Sequence, residues 1–207
     1  MQRKVTVASL AMAALLVSAG AALADPPNFD FNGYAQIPAG LGGALTLRSV
    51  LTNNGVVPTP IPLNFALNQY TLVVTGTMNA SAGINQDYNL TSLSVYEDPI
   101  GGGTAADYAN GATFTDGTLI LSGAFSPNLR RITFTPTLGS FIGTVNFTGG
   151  TQLGALGTLA NWPFGGGWSR TIGGIPAGYQ ENWDGKIDLG TVGVDSRTWD
   201  GVKRLYR

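Results

Sequence analysis

Apolar and polar positions alternate with a period of two along much of the chain, the spacing of half-buried strands. Ala44 to Thr52 alternates in this way and stops at Asn53-Asn54-Gly55, a run with turn chemistry. The same pattern predicts strands over Gln69 to Met78, Thr91 to Tyr96, Ala112 to Thr115, Thr118 to Gly123, Arg130 to Thr137, Phe141 to Phe147 and Lys186 to Val192. Asp116-Gly117 favours the type I′ turn and so predicts a hairpin between its two flanking strands. Pro58, Pro60 and Pro62 remove three amide donors at alternate positions, which predicts a connector or a sheet edge. The later strands are interrupted by Gly143, Gly149, Gly150, Gly154 and Gly157, the signature of bulges and tight bends.

Helical periodicity is read only near the end of the chain. There Thr198 can cap a short helix in which Trp199, Val202, Leu205 and Tyr206 fall near one face. Short strands separated by Gly, Asn and Pro predict an all-β fold, and the expectation is an antiparallel two-layer sandwich, jelly-roll-like or Ig-like, with a short C-terminal helix. A transmembrane barrel of eight strands is the competing architecture. It is disfavoured because strands such as Ser92 to Tyr96 are short for a bilayer and the chain ends in the basic run Lys203-Arg204-Leu205-Tyr206-Arg207.

Residues 1–24 carry the pattern of a secretory leader. Arg3 and Lys4 precede an apolar run from Val5 to Ala22, and Ala22-Leu23-Ala24 forms a small-residue cleavage site before Asp25-Pro26-Pro27. The expected organisation is this signal peptide, then an N-terminal strand and Pro-rich connector over 25–62, both part of one domain with the main body at 63–207. That body contains an aromatic, Gly-rich loop at 161–185 and a basic C-terminal turn at 197–207. The leader predicts a protein that is secreted, periplasmic or at the cell surface, of bacterial style, with no transmembrane segment after its removal. The mature chain holds nine Lys plus Arg against twelve Asp plus Glu, a net charge of −3. Residues 25–129 carry a net −6 and residues 130–207 a net +3, a polarity that could orient head-to-tail contacts between copies. The balance disfavours nucleic acid as a partner.

Composition narrows the chemistry sharply. The chain contains no His and no Cys among its 207 residues, so imidazole bases, thiol nucleophiles, disulfides and the common soft metal ligands are all closed to it. With 30 Gly and only 11% charged residues, and with neither a Gly-x-Ser-x-Gly elbow nor a Ser-x-x-Lys motif, no catalytic residue is assigned and a non-enzyme is expected. A two-carboxylate glycoside hydrolase is a remote alternative, because Glu97 and Glu181 could each pair with Asp98, Asp184 or Asp188.

Two segments hold candidate binding residues. Trp162, Trp168, Tyr179 and Trp183 lie in the Gly-rich stretch 161–185, where exposed rings could stack on sugars while Asn161, Gln180 and Asn182 bind hydroxyls. A small aromatic core built by the loop itself is the plainer account. Asn182-Trp183-Asp184-Gly185-Lys186-Ile187-Asp188 resembles part of a calcium loop, with Asn182, Asp184 and Asp188 as oxygen ligands. The match is partial, because Gln180 and Thr191 occupy the first and twelfth ligand positions. No cofactor is expected otherwise, although the acidic residues Glu97, Asp98, Asp107 and Asp116 also fall at strand ends and in a Gly-rich loop. The function expected from these features is a non-catalytic surface or extracellular structural and adhesion component. Its partners would be polysaccharide or other copies of itself, and a glycan-binding module using the Trp-rich loop is the main alternative.

Overall fold

A computed structural model describes residues 27–53 and 57–188. The expected leader, C-terminal helix and basic turn at 197–207 lie outside the described residues. Nine strands are present among them: β1 (Asn28–Gln36), β2 (Ala44–Thr52), β3 (Asn68–Ala82), β4 (Asn85–Pro99), β5 (Thr118–Phe125), β6 (Leu129–Thr135), β7 (Leu138–Gly149), β8 (Trp162–Ser169) and β9 (Glu181–Asp188). Consecutive strands pair antiparallel except β5 and β6, each of which pairs with β4 and with β7 instead, and β1 also pairs with β9 from Asn28↔Asp188 to Ala35↔Glu181.

The sheet therefore closes. Eight strands form an antiparallel barrel and β6 is the extra one. Both β5 and β6 lie between β4 and β7, so β6 prolongs the line of β5 past Ser126-Pro127-Asn128, where Pro127 has no amide to give the ladder. The expected two-layer sandwich is thus overturned. A sandwich keeps two sheets with free edges, whereas here the first and last strands satisfy each other and no edge is left.

Alternation sends one side of every strand into the barrel. Phe29, Phe31 and Ala35 of β1, Leu45, Leu47 and Leu51 of β2, and Leu72, Val74 and Met78 of β3 are all buried. Their neighbours Asp30, Asn32, Thr46 and Arg48 lie on the opposite face, so on β1 and β2 the inside is apolar and the outside polar, whereas Leu90 of β4 and Ile142 of β7 are exposed outward. A lipid-spanning barrel has the reverse order, with apolar residues outside. An eight-stranded barrel is about wide enough for side chains to fill its interior. Aromatic rings do so here, meeting across strands that are not neighbours: Phe31 of β1 stacks on Phe164 of β8 at 5.1 Å, and Phe125 of β5 meets Phe164 edge-on at 5.0 Å.

Glycine makes room for these rings on β8 and β9. Phe141 stacks on Trp183 with centroids 4.3 Å apart and planes within 9°. Its Cζ also lies 2.7 Å from where a Cβ on either Gly166 or Gly185 would stand. A run that looks like a flexible loop, Gly165-Gly166-Gly167, is therefore the floor under a core ring.

Three further expectations are corrected by this fold. The 161–185 segment is not one irregular loop, since β8 and most of β9 occupy it. Ala112–Thr115 is not a strand but part of a 3-10 turn at Gly111–Phe114, so Asp116-Gly117 joins no hairpin. Local side-chain bonds take over the backbone there: Asn110 Oδ1 accepts from the Ala112 amide at 3.3 Å, and the Thr113 hydroxyl donates to the Asn110 carbonyl at 2.9 Å. Phe114 is buried against the outside of the barrel, its carbonyl accepting from the Thr71 hydroxyl at 2.8 Å.

Replacing Gly166 tests the floor. A side chain there collides with the Asp184 carbonyl and with Phe141, and overpacking of this kind typically costs about 1–3 kcal/mol. Gly166→Val is expected to lower the melting temperature by roughly 5–10 °C in a thermal scan, and an unchanged melting temperature would show that Phe141 does not bear on this strand.

Candidate functional site

All four connections at one barrel end, 37–43, 83–84, 136–137 and 170–180, surround the only charges placed inside it among the described residues. Arg131 is carried inward by β6, two positions after buried Leu129, and Glu181 by β9, two positions before buried Trp183. Their side chains are 4% and 0% exposed, so neither ion is hydrated. Arg131 grips Glu181 with two nitrogens, Nε to Oε2 at 2.9 Å and Nη2 to Oε1. Its remaining nitrogen, Nη1, donates to Gln86 Oε1 at 3.0 Å and to the Thr133 hydroxyl at 2.8 Å.

Glu181 is held from two further sides. Arg170, just past β8, donates through Nε at 3.0 Å and Nη2 at 2.9 Å, and the Trp183 indole donates at 3.0 Å. Trp168 lies beneath the arginines, with the Arg131 Cζ 3.8 Å and the Arg170 Cζ 5.6 Å from its ring centroid. Its indole donates to the Ile132 carbonyl at 2.9 Å, and Gly139 leaves the room it needs. Two guanidinium groups and one carboxylate give the cluster a formal charge of +1, and Arg170 is its half-exposed member. Every buried side-chain nitrogen and oxygen among the described residues has a partner. A carboxylate this fully engaged has no lone pair free to attack a substrate or to take its proton, so the geometry is that of a positioning cluster.

Tyr88 stands near the same cluster. Burial pushes its hydroxyl up to about 12, with Arg131 opposing the rise and Glu181 adding to it.

The structure separates the four aromatic residues expected to bind sugar. Trp168 and Trp183 are register partners on β8 and β9 and both belong to the ionic end. Trp162 is inside the other end, against Phe29 at 6.2 Å and Phe147 at 5.4 Å. Tyr179 is outside the barrel, edge-on to Tyr108 at 5.5 Å, its hydroxyl accepting from Arg48 Nη1 at 3.1 Å. All four are buried, so no free ring face is offered for stacking.

The calcium pattern is also redistributed. Asn182, Asp184 and Asp188 lie on a regular strand, not on a turn, and the Asn182 amide donates to Asn32 Oδ1 at 3.1 Å and to the Gly33 carbonyl at 3.0 Å. Asp184 and Asp188 are four residues apart on an extended strand, about 13 Å, too far for one ion. Asp188 instead meets Lys186 at 3.2 Å. Glu97 sits near the opposite end from Glu181, with the Tyr70 hydroxyl donating to it at 2.9 Å, so the two glutamates do not face each other across a cleft.

Sequence reasoning passed over Arg131 and Arg170. The signal was present in the alternation itself: Arg131 follows the inward phase of Leu129 and Glu181 that of Trp183, so opposite charges stand at core positions.

The chain matches no known family model, no curated protein and no solved structure.

The cluster makes two testable statements. Glu181→Leu leaves Arg131 buried without its anion and is expected to cost about 3–5 kcal/mol in urea denaturation. Arg131→Met added to it should restore part of that loss, and strictly additive effects would refute the coupling. The second concerns alkali. An unfolded tyrosine ionises near pH 10, whereas buried Tyr88 holds its proton to about 12, so stability is intact below about pH 10 and falls between 10 and 12 as the unfolded chain alone deprotonates. Urea titrations at pH 9 and 11.5 should show a smaller fall for Tyr88→Phe than for the parent protein.

Proposed function

We propose that the protein is an exported, non-catalytic structural or adhesion component of the cell surface or extracellular space, acting through the outside and the ends of a filled barrel. The filled interior is the observation that carries this reading. Ligand-carrying barrels hold their cargo in a lumen, whereas this lumen is taken up by Phe31, Phe141, Phe164, Trp183 and their neighbours. The one inward ionic cluster is satisfied by the protein's own atoms. The polar outward faces of β1 and β2 and the secretory pattern of residues 1–24 support action on the surface of the fold, outside the cytoplasm. Sugar binding through Trp162, Trp168 and Trp183 is the weaker alternative, because each ring is already packed on both the sheet and its neighbours.

Fractionation of cells producing the full chain tests this. The expected result is a protein whose N-terminus is Asp25, found in the surface wash or the medium, with no turnover of chromogenic glycosides with or without chelator. Retention in the cytoplasm with the leader intact, or measurable turnover, overturns it.

A further inference from the structure

The two barrel ends are built from different residues. The connections 37–43, 83–84, 136–137 and 170–180 contain no Asp, Glu or Lys, and their one charged residue is Arg170. Around this rim a large apolar side chain projects beside every connection: Leu41, Ile84, Phe134 with Leu138, and Ile172, all between 47% and 67% exposed. Backbone bonds tie the rim into one ring, from the Gly42 amide to the Met78 carbonyl, the Thr133 amide to Ile84, and the Arg170 amide to Thr137. The other end also shows Leu67, Ile100 and Leu159, but Asp107 and Asp116 stand in its connections and Asp98 at the end of β4. That end is also where β1 begins and β9 ends.

We propose that the apolar rim docks on the anionic headgroup region of a lipid bilayer, with Leu41, Ile84, Phe134 and Ile172 entering the boundary between headgroups and acyl chains. This rests on the surface-acting reading above and names what that surface is. Two physical features choose lipid over a protein. The apolar groups are separate projections on four different turns, and a fluid interface takes up separate tips at any lateral spacing, whereas a folded partner needs a continuous complementary face. The charge also fits: the +1 ionic cluster lies just under the rim with Arg170 half-exposed, and no carboxylate in the four connections has to approach lipid phosphate. The acidic end is remote enough not to oppose this. A nine-residue strand such as β1 is about 30 Å long, and exposed charges are screened over about 10 Å at 0.1 M salt.

Cosedimentation of the mature full-length chain with vesicles tests the proposal, using phosphatidylcholine alone and phosphatidylcholine with one third phosphatidylglycerol. Binding to the anionic vesicles is expected, about fivefold weaker without phosphatidylglycerol. The Leu41→Ser/Ile172→Ser variant should bind about tenfold more weakly or worse at an unchanged melting temperature, while Leu159→Ser at the opposite end should bind like the parent. Failure to sediment with either vesicle overturns the proposal, as does equal loss in the two variants. A dimer in sedimentation velocity that the double variant abolishes also overturns it and gives the rim to a second copy. If fractionation places the protein at the surface while vesicles do not hold it, only the lipid assignment falls.

Discussion

The pairing of β1 with β9 is the constraint from which the remaining structure follows. It joins residues 146 to 160 positions apart in sequence and turns an open meander into a cylinder with no unpaired edge. Once the cylinder is closed, its width is fixed by strand number and stagger, and the side chains pointing inward have to fill a set volume. That volume explains the company of glycines and large rings. Phe141, Phe164 and Trp183 occupy the middle of the lumen, and Gly166 and Gly185 stand where any Cβ would strike Phe141. The glycines that weaken β8 as an isolated strand are the ones that let β8 exist inside this barrel.

Placing Arg131 and Glu181 within such a core is costly in isolation, because each ion gives up its hydration. The cost is offset by geometry: a two-point grip, four further donors or acceptors from Gln86, Thr133, Arg170 and Trp183, and the face of Trp168 against the guanidinium. The partners come from β4, β6 and β9 and from the residue following β8, so the cluster is satisfied only when those strands are in one register. A slip of one residue in β6 or β9 would turn Arg131 or Glu181 outward and leave its partner buried alone. The ion pair thus discriminates against misregistered barrels, which apolar side chains of similar size would tolerate.

Much of the strand content was legible in the sequence, because burial and alternation coincide where both faces of a strand are distinct. β2 runs over Ala44–Thr52 as its pattern predicts, and β3, β5, β6 and β7 are recovered with shifted ends. Closure was not legible. The two-residue period is the same in a sandwich and in a barrel, and the strands that decide between them are those whose pattern is broken: β1 by Gly33 in an inward position, β8 by Gly165 to Gly167. Gly33 is needed because a Cβ there would meet the Ser49 backbone, a contact that only the folded sheet reveals. The aromatic residues were found by composition but misplaced by it, since counting Trp and Tyr in a Gly-rich run cannot tell which side of a strand they occupy. Strand phase could have made that distinction for Trp162, Phe164 and Trp168, which alternate.

A barrel filled in this way leaves function to what the core does not need. Inward positions are committed to volume and the ionic cluster to register, so chemical variation is free only on the walls and at the ends. The walls of β1, β2 and β9 carry Asn, Asp, Thr and Lys in ordinary solvated positions. The connections are different at the two ends, one acidic and one without a carboxylate, and an up-and-down meander makes that separation automatic because alternate connections fall on alternate ends. Exposed apolar side chains stand at both ends, but only one set of connections carries carboxylates, Asp107 and Asp116, so the two ends of the cylinder differ in charge. On the proposed docking, orientation with respect to a surface is a property of the connections, and the core serves only to hold them in place.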